Sequence, residues 1–396
     1  MATSARAHPE NPLHRLTPEQ IEELGREFEA LHDEVFADLG DRDAKYIRSM
    51  IDLHRKLALG GRVLLLPSLF PPAWLAGTIV LSLAKILENM EIGHNVMHGQ
   101  WDWMNDPQIH SSTWDWDTAS TKEAWQHSHN YIHHTYTNIL GKDRDLGYEI
   151  MRVDPEQPWN PVYLLQPLYN LLLMAFFEWG VALHDLDFTA ARAGQKSWWQ
   201  VAKDFTGILG KARRQIVKDY IAWPLLSGIG APATAAANFT ANVVRNVWAH
   251  SIIFCGHFPD QTYTFTEEEV EDESKGGWYV RQLLGAANID GSPLFHVISG
   301  NLGYQVEHHL YPDMPSSRYG EIAPRVREVC RRYDLPYNTG PLHKQLGSVH
   351  RTILRLAFPG GKPRHKPGPY EGEVIRTEGE HGLAAAAAGG DGRSGA

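Results

Sequence analysis

Histidine residues occur in three groups whose spacing suits metal binding. The groups are the pair His94 and His98, the trio His129, His133 and His134, and the pair His308 and His309, which follows Gln305. Two residues four apart lie one turn apart on the same helix face, so rings spaced in this way can converge on one ion. Adjacent helical residues diverge by about 100°, so each His-His pair can serve two separate ions. The spacing therefore favours a dinuclear site over a single ion.

The histidine pattern is too specific to be expected by chance. Histidine makes up 21 of 396 residues, and at that frequency His-x-x-x-His-His is expected roughly 0.06 times in a chain of this length. Imidazole suits zinc, copper, iron or nickel. A structural zinc site closes with four ligands, which are often thiolates, whereas the three groups offer seven histidines, so a structural zinc site is not favoured. Two irons surrounded by imidazoles can bind and reduce O2. We interpret the site as one that attacks an unactivated C–H bond of a lipid chain.

Acidic residues near the histidine groups are candidate acceptors for the ring nitrogens that face away from a metal. Ordinary solvated charge is the alternative interpretation for each of them. The candidates are Glu88, Glu91, Asp143, Asp145, Glu307 and Asp313.

Three stretches without charged side chains separate the histidine groups or flank them. They span residues 63–84, 158–177 and 221–244, and the third resumes at 246–259. Each reaches the roughly 20 residues that a helix needs to cross about 30 Å of hydrocarbon. Prolines interrupt two of them, which favours helical hairpins over single rods. We predict an all-α integral membrane protein whose cytoplasmic helical cap holds the histidine site; the alternative is the core of a large soluble helical protein.

The distribution of basic residues predicts how the protein is oriented in the membrane. Seven Lys and Arg residues and a single acid lie between Asp187 and Asp219, which predicts a cytoplasmic segment and a cytoplasmic catalytic face. The stretch 158–177 would then lie along the membrane interface. The alternative is a simple crossing at 158–177 with the basic segment outside.

The expected body of the protein is a single domain over residues 17–358. Thr17-Pro-Glu-Gln20 has the form of a capping box with Pro at the first helical position, so a helix is expected to start there. Residues 1–16 are polar, contain no signal-peptide core and are predicted to be disordered. The Gly-, Pro- and Ala-rich tail 359–396 is also predicted to be disordered.

Composition excludes several classes of function. A net charge of −10, from 37 basic and 47 acidic residues, argues against nucleic acid as a partner. Cys255 and Cys330 are too few for a disulfide framework or a four-thiolate iron–sulfur cluster. The one Gly-x-Gly-x-x-Gly string, at 390–395, lies in the Gly-rich tail and not between a predicted strand and a helix, so reduced nicotinamide nucleotide is not expected to bind in the usual way.

The histidine groups and their flanking residues resemble the membrane-bound fatty acid desaturases. The similarity covers about residues 20–340, and the segments 88–107, 254–260 and 307–312 look most like those of actinobacterial stearoyl-CoA (Δ9) desaturases. The resemblance implies a non-haem di-iron centre with the ligands His94, His98, His129, His133, His134, His257, His308 and His309. Gln305 stands where the animal enzymes have a histidine and is expected to lie next to the ligands. Front-end desaturases also carry Gln there, so the double-bond position stays open.

The resemblance implies insertion of a cis double bond into a saturated acyl chain, most simply that of stearoyl- or palmitoyl-coenzyme A or another acyl carrier. The reaction would use O2 and two electrons. A fused haem domain would need His-Pro-Gly-Gly, but the chain has Phe358-Pro-Gly-Gly361, so electrons are expected from a separate NAD(P)H-dependent reductase or ferredoxin-type donor. The rivals are a di-iron lipid or alkane hydroxylase, a front-end or acyl-lipid desaturase, and a histidine-rich metal transporter.

Three further features carry open interpretations. Basic residues in 191–218, or those that follow the third histidine group, could dock the electron donor or the phosphates of coenzyme A; a solvated face is the alternative. Five tryptophans between the first two groups could wall an acyl tunnel or form an interfacial belt. His250 is expected to be a core residue rather than a ligand. The basic residues that follow the third histidine group are Arg318, Arg325, Arg327, Arg331 and Arg332. The five tryptophans are Trp101, Trp103, Trp114, Trp116 and Trp125.

Overall fold

A computed structural model describes residues 11–259 and 261–362. Helices make up most of it, which confirms the predicted all-α character. Two three-residue strands, β1 (Asn288–Asp290) and β2 (Thr339–Pro341), pair in parallel, with Ile289 opposite Gly340. The described helices of the first half are α1 Pro18–Ala37, α2 Asp41–Leu64, α3 Pro71–Ile86, α4 Asn95–Met97, α5 Lys122–Trp125, α6 His134–Tyr136, α7 Gln166–Ala175, α8 Phe177–His184 and α9 Phe188–Arg192.

The second half of the described chain continues the helical pattern. Its α-helices are α10 Trp198–Ile216, α11 Trp223–Leu226, α12 Ala231–His257, α13 Lys275–Gly285, α14 Pro293–Ile298, α15 Gln305–Leu310, α16 Tyr319–Arg332 and α17 Leu342–Leu356. Wider π-helical turns occur at Leu87–His94, Gln126–His133 and Val217–Ala222. Short 3-10 helices lie at Pro12–Arg15, Asp102–Met104, Leu146–Glu149, Pro161–Leu165, Gly228–Gly230, Glu268–Val270, Leu302–Tyr304 and Ser316–Arg318.

The N-terminal helix begins as predicted. The Thr17 hydroxyl accepts from the Gln20 backbone N–H at 3.2 Å, and the Gln20 side chain accepts from the Thr17 N–H at 2.9 Å. The apolar stripe of α1, with Leu24 and Phe28 fully buried, packs against α13. Just before this cap, Pro12–Arg15 forms a 3-10 helix. The predicted domain limits stay predictions, and residues 1–10 and 363–396 of the two predicted disordered ends lie outside the described residues.

The first uncharged stretch supplies the turn and the second helix of a helical hairpin, with Pro67 in the turn and Pro71 and Pro72 in the first turn of α3. Helix α2 ends at Leu64, the chain turns, and α3 begins with Pro71 in its first turn. The two helices approach closely: a Cβ on Gly61 would lie 2.9 Å from the Leu81 backbone nitrogen. Helix α12 packs on α3 from the other side. Over the described ranges, no single helix is both long and apolar enough to cross a membrane.

A cluster of buried ionisable residues joins this hairpin to the segment before α11. Asp219 accepts from Arg62 at 2.8 Å and from Lys85 at 2.7 Å. The Asp219 side chain is fully buried, and those of Arg62 and Lys85 nearly so. The backbone carbonyl of Asp219 also accepts from Asn238 of α12. We call Arg62, Lys85 and Asp219 the charge cluster; it ties together four helical segments.

Four helical segments carry the predicted metal ligands. The π-helical turn Leu87–His94 extends α3, and the turn Gln126–His133 runs directly into α6. Helix α12 ends at His257, and the short α15 contains His308 and His309. Single π-helical turns inside helices are rare and often mark functional sites. Here two of them stand where ligand-bearing segments must bring several rings to one side.

Candidate metal centre

The eight predicted ligand histidines come together in the folded chain. Two groups of imidazoles have ring nitrogens within 4.8 Å of one another, and a third group shares members with both. Six of the eight residues are buried, and His98 and His129 are half-buried. The first group is His94, His98, His129 and His308; the second is His133, His257 and His309; the third is His134, His308 and His309.

The predicted divergence of the adjacent pairs is seen in these groups. His133 joins the second group, whereas His134 lies with His308 and His309. The π-helical turn changes the reason for the convergence. About one more residue per turn than in an α-helix brings positions four and five apart onto one face, and the His129 ring lies 5.0 Å from both the His133 and the His134 ring.

Unpartnered ring nitrogens point into the space between the groups. Within the described ranges, the buried Nε2 atoms of His98, His129, His133, His134 and His308 have no hydrogen-bond partner. Burying so many polar atoms without partners would be costly. Metal ions would satisfy them, and a donor set made of imidazoles suits iron among the transition metals. The residues therefore fit a two-metal centre, while the identity of the eight ligands and of the metal stays a prediction.

The ring nitrogens that face outward are held by neighbouring side chains. Two of the holders are carboxylates: His129 Nδ1 lies 3.1 Å from Asp145, and His133 Nδ1 lies 3.0 Å from Asp143. Such partners fix the tautomer and the orientation of a metal-binding ring. The other three contacts are His94 with Asn95 at 3.0 Å, His308 with the Tyr319 hydroxyl at 3.2 Å and His309 with the Gln282 amide oxygen at 2.9 Å.

Only two of the six candidate carboxylates contact a ligand ring. Asp143 and Asp145 do so, and both come from the loop that follows α6. The other four bond elsewhere: Glu88 accepts the Asp117 N–H, Glu91 accepts from Tyr46 and Ser316, Glu307 accepts from Asn288 and Tyr337, and Asp313 contacts His32. Sequence reasoning missed Asn95, Gln282 and Tyr319. Asn95 could have been inferred from its place beside His94, but Gln282 and Tyr319 carry no local signal.

Burial and neighbouring charge set the protonation of the rings. Burial lowers the pKa of His94 to about 3, which leaves the ring neutral and able to bind a metal. Burial also lowers the pKa of His133, but the Asp143 and Asp145 carboxylates outweigh it and raise that pKa above its ordinary value. Burial acts to raise the pKa of Asp145, yet hydrogen bonds from His129 and His184 hold it well below its usual range. Asp145 is thus a charged acceptor.

Gln305 lies directly against the second group. Its side-chain nitrogen is 3.1 Å from His257 Nε2, and its side-chain oxygen is buried with no partner among the described residues. Gly256 makes this approach possible, because a Cβ there would fall 2.7 Å from the Gln305 side chain. His250, seven residues before His257, lies outside all groups and bonds to Asn170 at 3.1 Å.

An apolar cavity adjoins the first group. His94 and His129 form part of its wall, and Trp116 and Trp125 stand beside them. The Trp125 ring stacks on His129 with centroids 4.6 Å apart. Further apolar wall comes from Met90, Tyr148, Phe177, Val181 and Ile253. Of the five tryptophans between the first two histidine groups, Trp116 and Trp125 thus face the site, while Trp101 is fully buried beside Tyr46.

Fold and site together define a helical protein with a histidine-rich, two-part metal centre beside an apolar cavity. The sequence model of the fatty acid desaturase family matches residues 70–341. The NADPH-dependent stearoyl-CoA 9-desaturase of Mycobacterium tuberculosis is 48% identical over 348 residues, which cover 87% of this chain and 82% of the relative. The chain belongs to the fatty acid desaturase family and is an oxidoreductase.

More distant relatives have names other than stearoyl-CoA 9-desaturase. The sn-1 linoleoyl-lipid 6-desaturase of Synechocystis is 25% identical over 326 residues, covering 79% of this chain and 89% of that protein. Human fatty acid desaturase 3 is 23% identical over 353 residues, covering 84% and 73%. The family is therefore shown, and the substrate must be argued separately.

Proposed function

We propose that this protein inserts a cis double bond at the Δ9 position of a saturated acyl chain carried by coenzyme A. The observation that carries the proposal is the apolar cavity walled by His94 and His129 at the edge of the imidazole groups. The high identity to a relative named stearoyl-CoA 9-desaturase supports the substrate and the position. In balance, –CH2–CH2– with O2, two electrons and two protons becomes –CH=CH– and two waters.

The chain's own residues position the reactants. Two iron ions bound by the imidazole groups would supply the reduction of O2 and the oxidising power that breaks the C–H bonds. Asp143 and Asp145 hold the outer nitrogens of His133 and His129, so the inner nitrogens keep their direction. Trp116, Trp125 and the other apolar walls exclude water and hold two methylenes beside the first group.

A basic groove next to the cavity suits the phosphates of coenzyme A. Its cationic lining is Lys122, Lys211, Arg213, Arg214 and Lys218. The segment 115–121 separates groove from cavity and lines both, so a head group in the groove lies one chain segment from the acyl site. Both basic regions are partly neutralised by acids: in the groove, Lys211 and Arg214 pair with Asp115 and Lys218 pairs with Asp117. In the alternative patch, Arg318 is buried against Asp43, and Arg325 pairs with Glu34 at 2.8 Å. The groove is favoured because it adjoins the cavity.

The protein is further proposed to sit in a membrane, with the imidazole groups on the cytoplasmic side. The support is a patch of exposed apolar side chains where the α2–α3 turn meets the α11–α12 turn, including Phe70 at 61% exposure and Ile229 at 89%. These turns are joined by a hydrogen bond from Ser68 to the Gly230 carbonyl. Apolar patches of such extent are rarely left to water.

The electron source is proposed to be a separate NADPH-dependent reductase. The support is that the one Gly-x-Gly-x-x-Gly string of the sequence lies in its Gly-rich tail, at 390–395, together with the name of the mycobacterial relative. That protein's NADPH dependence requires a route from nucleotide to metal, and a partner protein supplies the simplest one.

The test is turnover by detergent-purified protein given NADPH, a bacterial reductase and stearoyl-CoA. We expect about two irons per chain and a product two hydrogens lighter, with the double bond located between carbons 9 and 10 by mass spectrometry of its disulfide adduct. A product heavier by one oxygen would instead indicate a hydroxylase. A double bond nearer the carboxyl end, or activity only on phospholipid-bound chains, would indicate a front-end or acyl-lipid desaturase.

A further inference from the structure

Three successive residues beside the metal centre have left-handed backbone angles. They are Gly147, Tyr148 and Glu149, with φ of 66°, 53° and 58°. Glycine adopts such angles freely, but tyrosine and glutamate do so rarely and at a cost. Consecutive non-glycine residues in this region persist only where the surroundings hold them, and such sites are concentrated where function needs a particular side-chain placement.

The surroundings do hold this segment. Arg144 bridges the Glu149 carboxylate at 3.2 Å and the His184 carbonyl at 2.8 Å. The Tyr148 and Met151 amides donate to the carbonyls of Asp145 and Gly147. The same loop supplies Asp143 and Asp145, which orient His133 and His129. The strained residues therefore belong to the loop whose carboxylates orient the His129 and His133 rings.

The strained backbone places one ring in the cavity wall. The Tyr148 ring is buried, lies parallel to Phe254 with centroids 5.6 Å apart, and meets Phe177 edge-on at 5.7 Å. It faces the same cavity as His129. The ring belongs to a buried apolar cluster with Phe254 and Ile252, and Phe177 of the same cluster lines the cavity beside it. A smaller side chain at this position would leave room, bordered by these apolar side chains, for additional methylenes of a longer chain.

We propose that Tyr148 determines the acyl-chain specificity of the cavity, and that the left-handed backbone is retained because it presents this ring as the wall. The inference rests on the proposed function and adds the residue that limits chain length. A wall of this kind discriminates by steric exclusion, since additional methylenes must displace the ring or stay in water. The hydroxyl is not required for that role.

The test compares variants that separate ring, hydroxyl and backbone. Tyr148→Asn removes the ring and keeps a residue that tolerates left-handed angles, and Tyr148→Leu removes the ring with an apolar residue. Tyr148→Phe keeps the ring, and Glu149→Gly also keeps it while removing both the neighbouring backbone strain and the carboxylate that contacts Arg144. Each is assayed with saturated acyl-CoA of 16, 18, 20 and 22 carbons, and the metal-free proteins are used for competition binding of the same series.

Removal of the ring should raise the preference for 22 over 18 carbons by about tenfold in turnover and in binding. Tyr148→Phe and Glu149→Gly should keep the wild-type profile, because both keep the aromatic ring at position 148. If the Tyr148→Asn protein does not fold, the Tyr148→Leu protein is used for the same comparison. An unchanged profile in a folded ring-less variant, or a shift in Glu149→Gly, overturns the proposal. Failure of the proposed function differs visibly, because the wild-type protein would then desaturate no chain of any length.

Discussion

The predicted metal-ligand histidines and the charge cluster are both buried groups of ionisable side chains, and both join several helical segments. In the charge cluster, Asp219 pairs with Arg62 and Lys85 at 2.8 and 2.7 Å, Asp117 lies 3.9 Å from Lys85, and Arg62 Nη1 is the one side-chain nitrogen of these described residues that is buried without a partner. In the histidine groups, five outer nitrogens have partners, but at least five inner Nε2 atoms have none within the described chain. Opposite charges meet in one cluster without a ligand, whereas the other leaves several converging nitrogens without partners.

This difference separates a structural cluster from a functional one. Breaking the charge cluster should cost stability, because an unpaired charge would stay buried. Breaking the histidine cluster should cost metal and turnover first, because the rings contribute little to the fold until an ion joins them. Variants in the two clusters therefore make opposite predictions for stability and activity.

The largest effect is expected for His133→Ala, a change in the second imidazole group. Loss of this ring removes one inner nitrogen and the partner of Asp143, so desaturation should fall at least about a hundredfold. Metal content and product are measured together on the purified protein. The matched control is His250→Ala, another buried histidine outside the groups, which should keep its metal. Retained activity in His133→Ala would contradict the ligand assignment.

Asp219→Asn tests the charge cluster. The change leaves Lys85 and Arg62 buried without their counter-charge, so unfolding free energy should fall by about 3–5 kcal/mol. The readout is the melting temperature of the detergent-purified protein, with metal content of the folded fraction unchanged. Asp204→Asn is the control, because its partly exposed pair with Lys196 should contribute less than about 1 kcal/mol. Equal effects of the two variants would show that the cluster is not a structural centre.

Asp143→Asn tests a residue that contacts a predicted ligand histidine but is not itself a predicted ligand. The carboxylate touches His133 from outside the metal space, and an amide would hold the ring less strongly. Metal affinity should fall by about 10- to 100-fold while the melting temperature of metal-free protein changes little. Glu88→Gln is the matched control: it is a buried carboxylate that accepts from a backbone N–H at 2.9 Å and contacts no ligand ring. A similar metal loss in Glu88→Gln would assign the effect to general burial.

The sequence allowed most of the clustered histidines to be predicted, because their spacing is local. Spacing alone identified the pairs at His94 and His129, and the resemblance added His257, which no spacing rule would select. The helix start at Thr17 followed from its capping box. These features depend on neighbours within one or two turns, which a sequence displays directly.

The remainder depends on contacts between distant segments. Gln282 contacts His309 from α13, and Tyr319 contacts His308 from the start of α16. No local sequence pattern predicts either contact. The π-helical turns were also not predicted, because imidazole spacing of four fits an α-helix equally well. The partners of Asp219 come from α2 and α3, more than 130 residues away in the chain. Side-chain packing decides such contacts.

The smallest expected effect concerns a partly exposed pair that belongs to neither the charge cluster nor the histidine groups. His32 contacts Asp313 at 3.3 Å, and this hydrogen bond, only partly opposed by burial, raises the pKa of His32 above its ordinary value. A raised pKa in the folded state means that its stabilisation is complete at acid pH, below the unfolded value, and is lost as pH rises through the folded value. Because both side chains are partly exposed, the contribution should stay below about 1 kcal/mol. The melting-temperature difference between wild type and His32→Gln should therefore be largest near pH 5.5 and vanish near pH 8.5. A constant difference across that range would mean that His32 stabilises by packing on Phe36 rather than by charge.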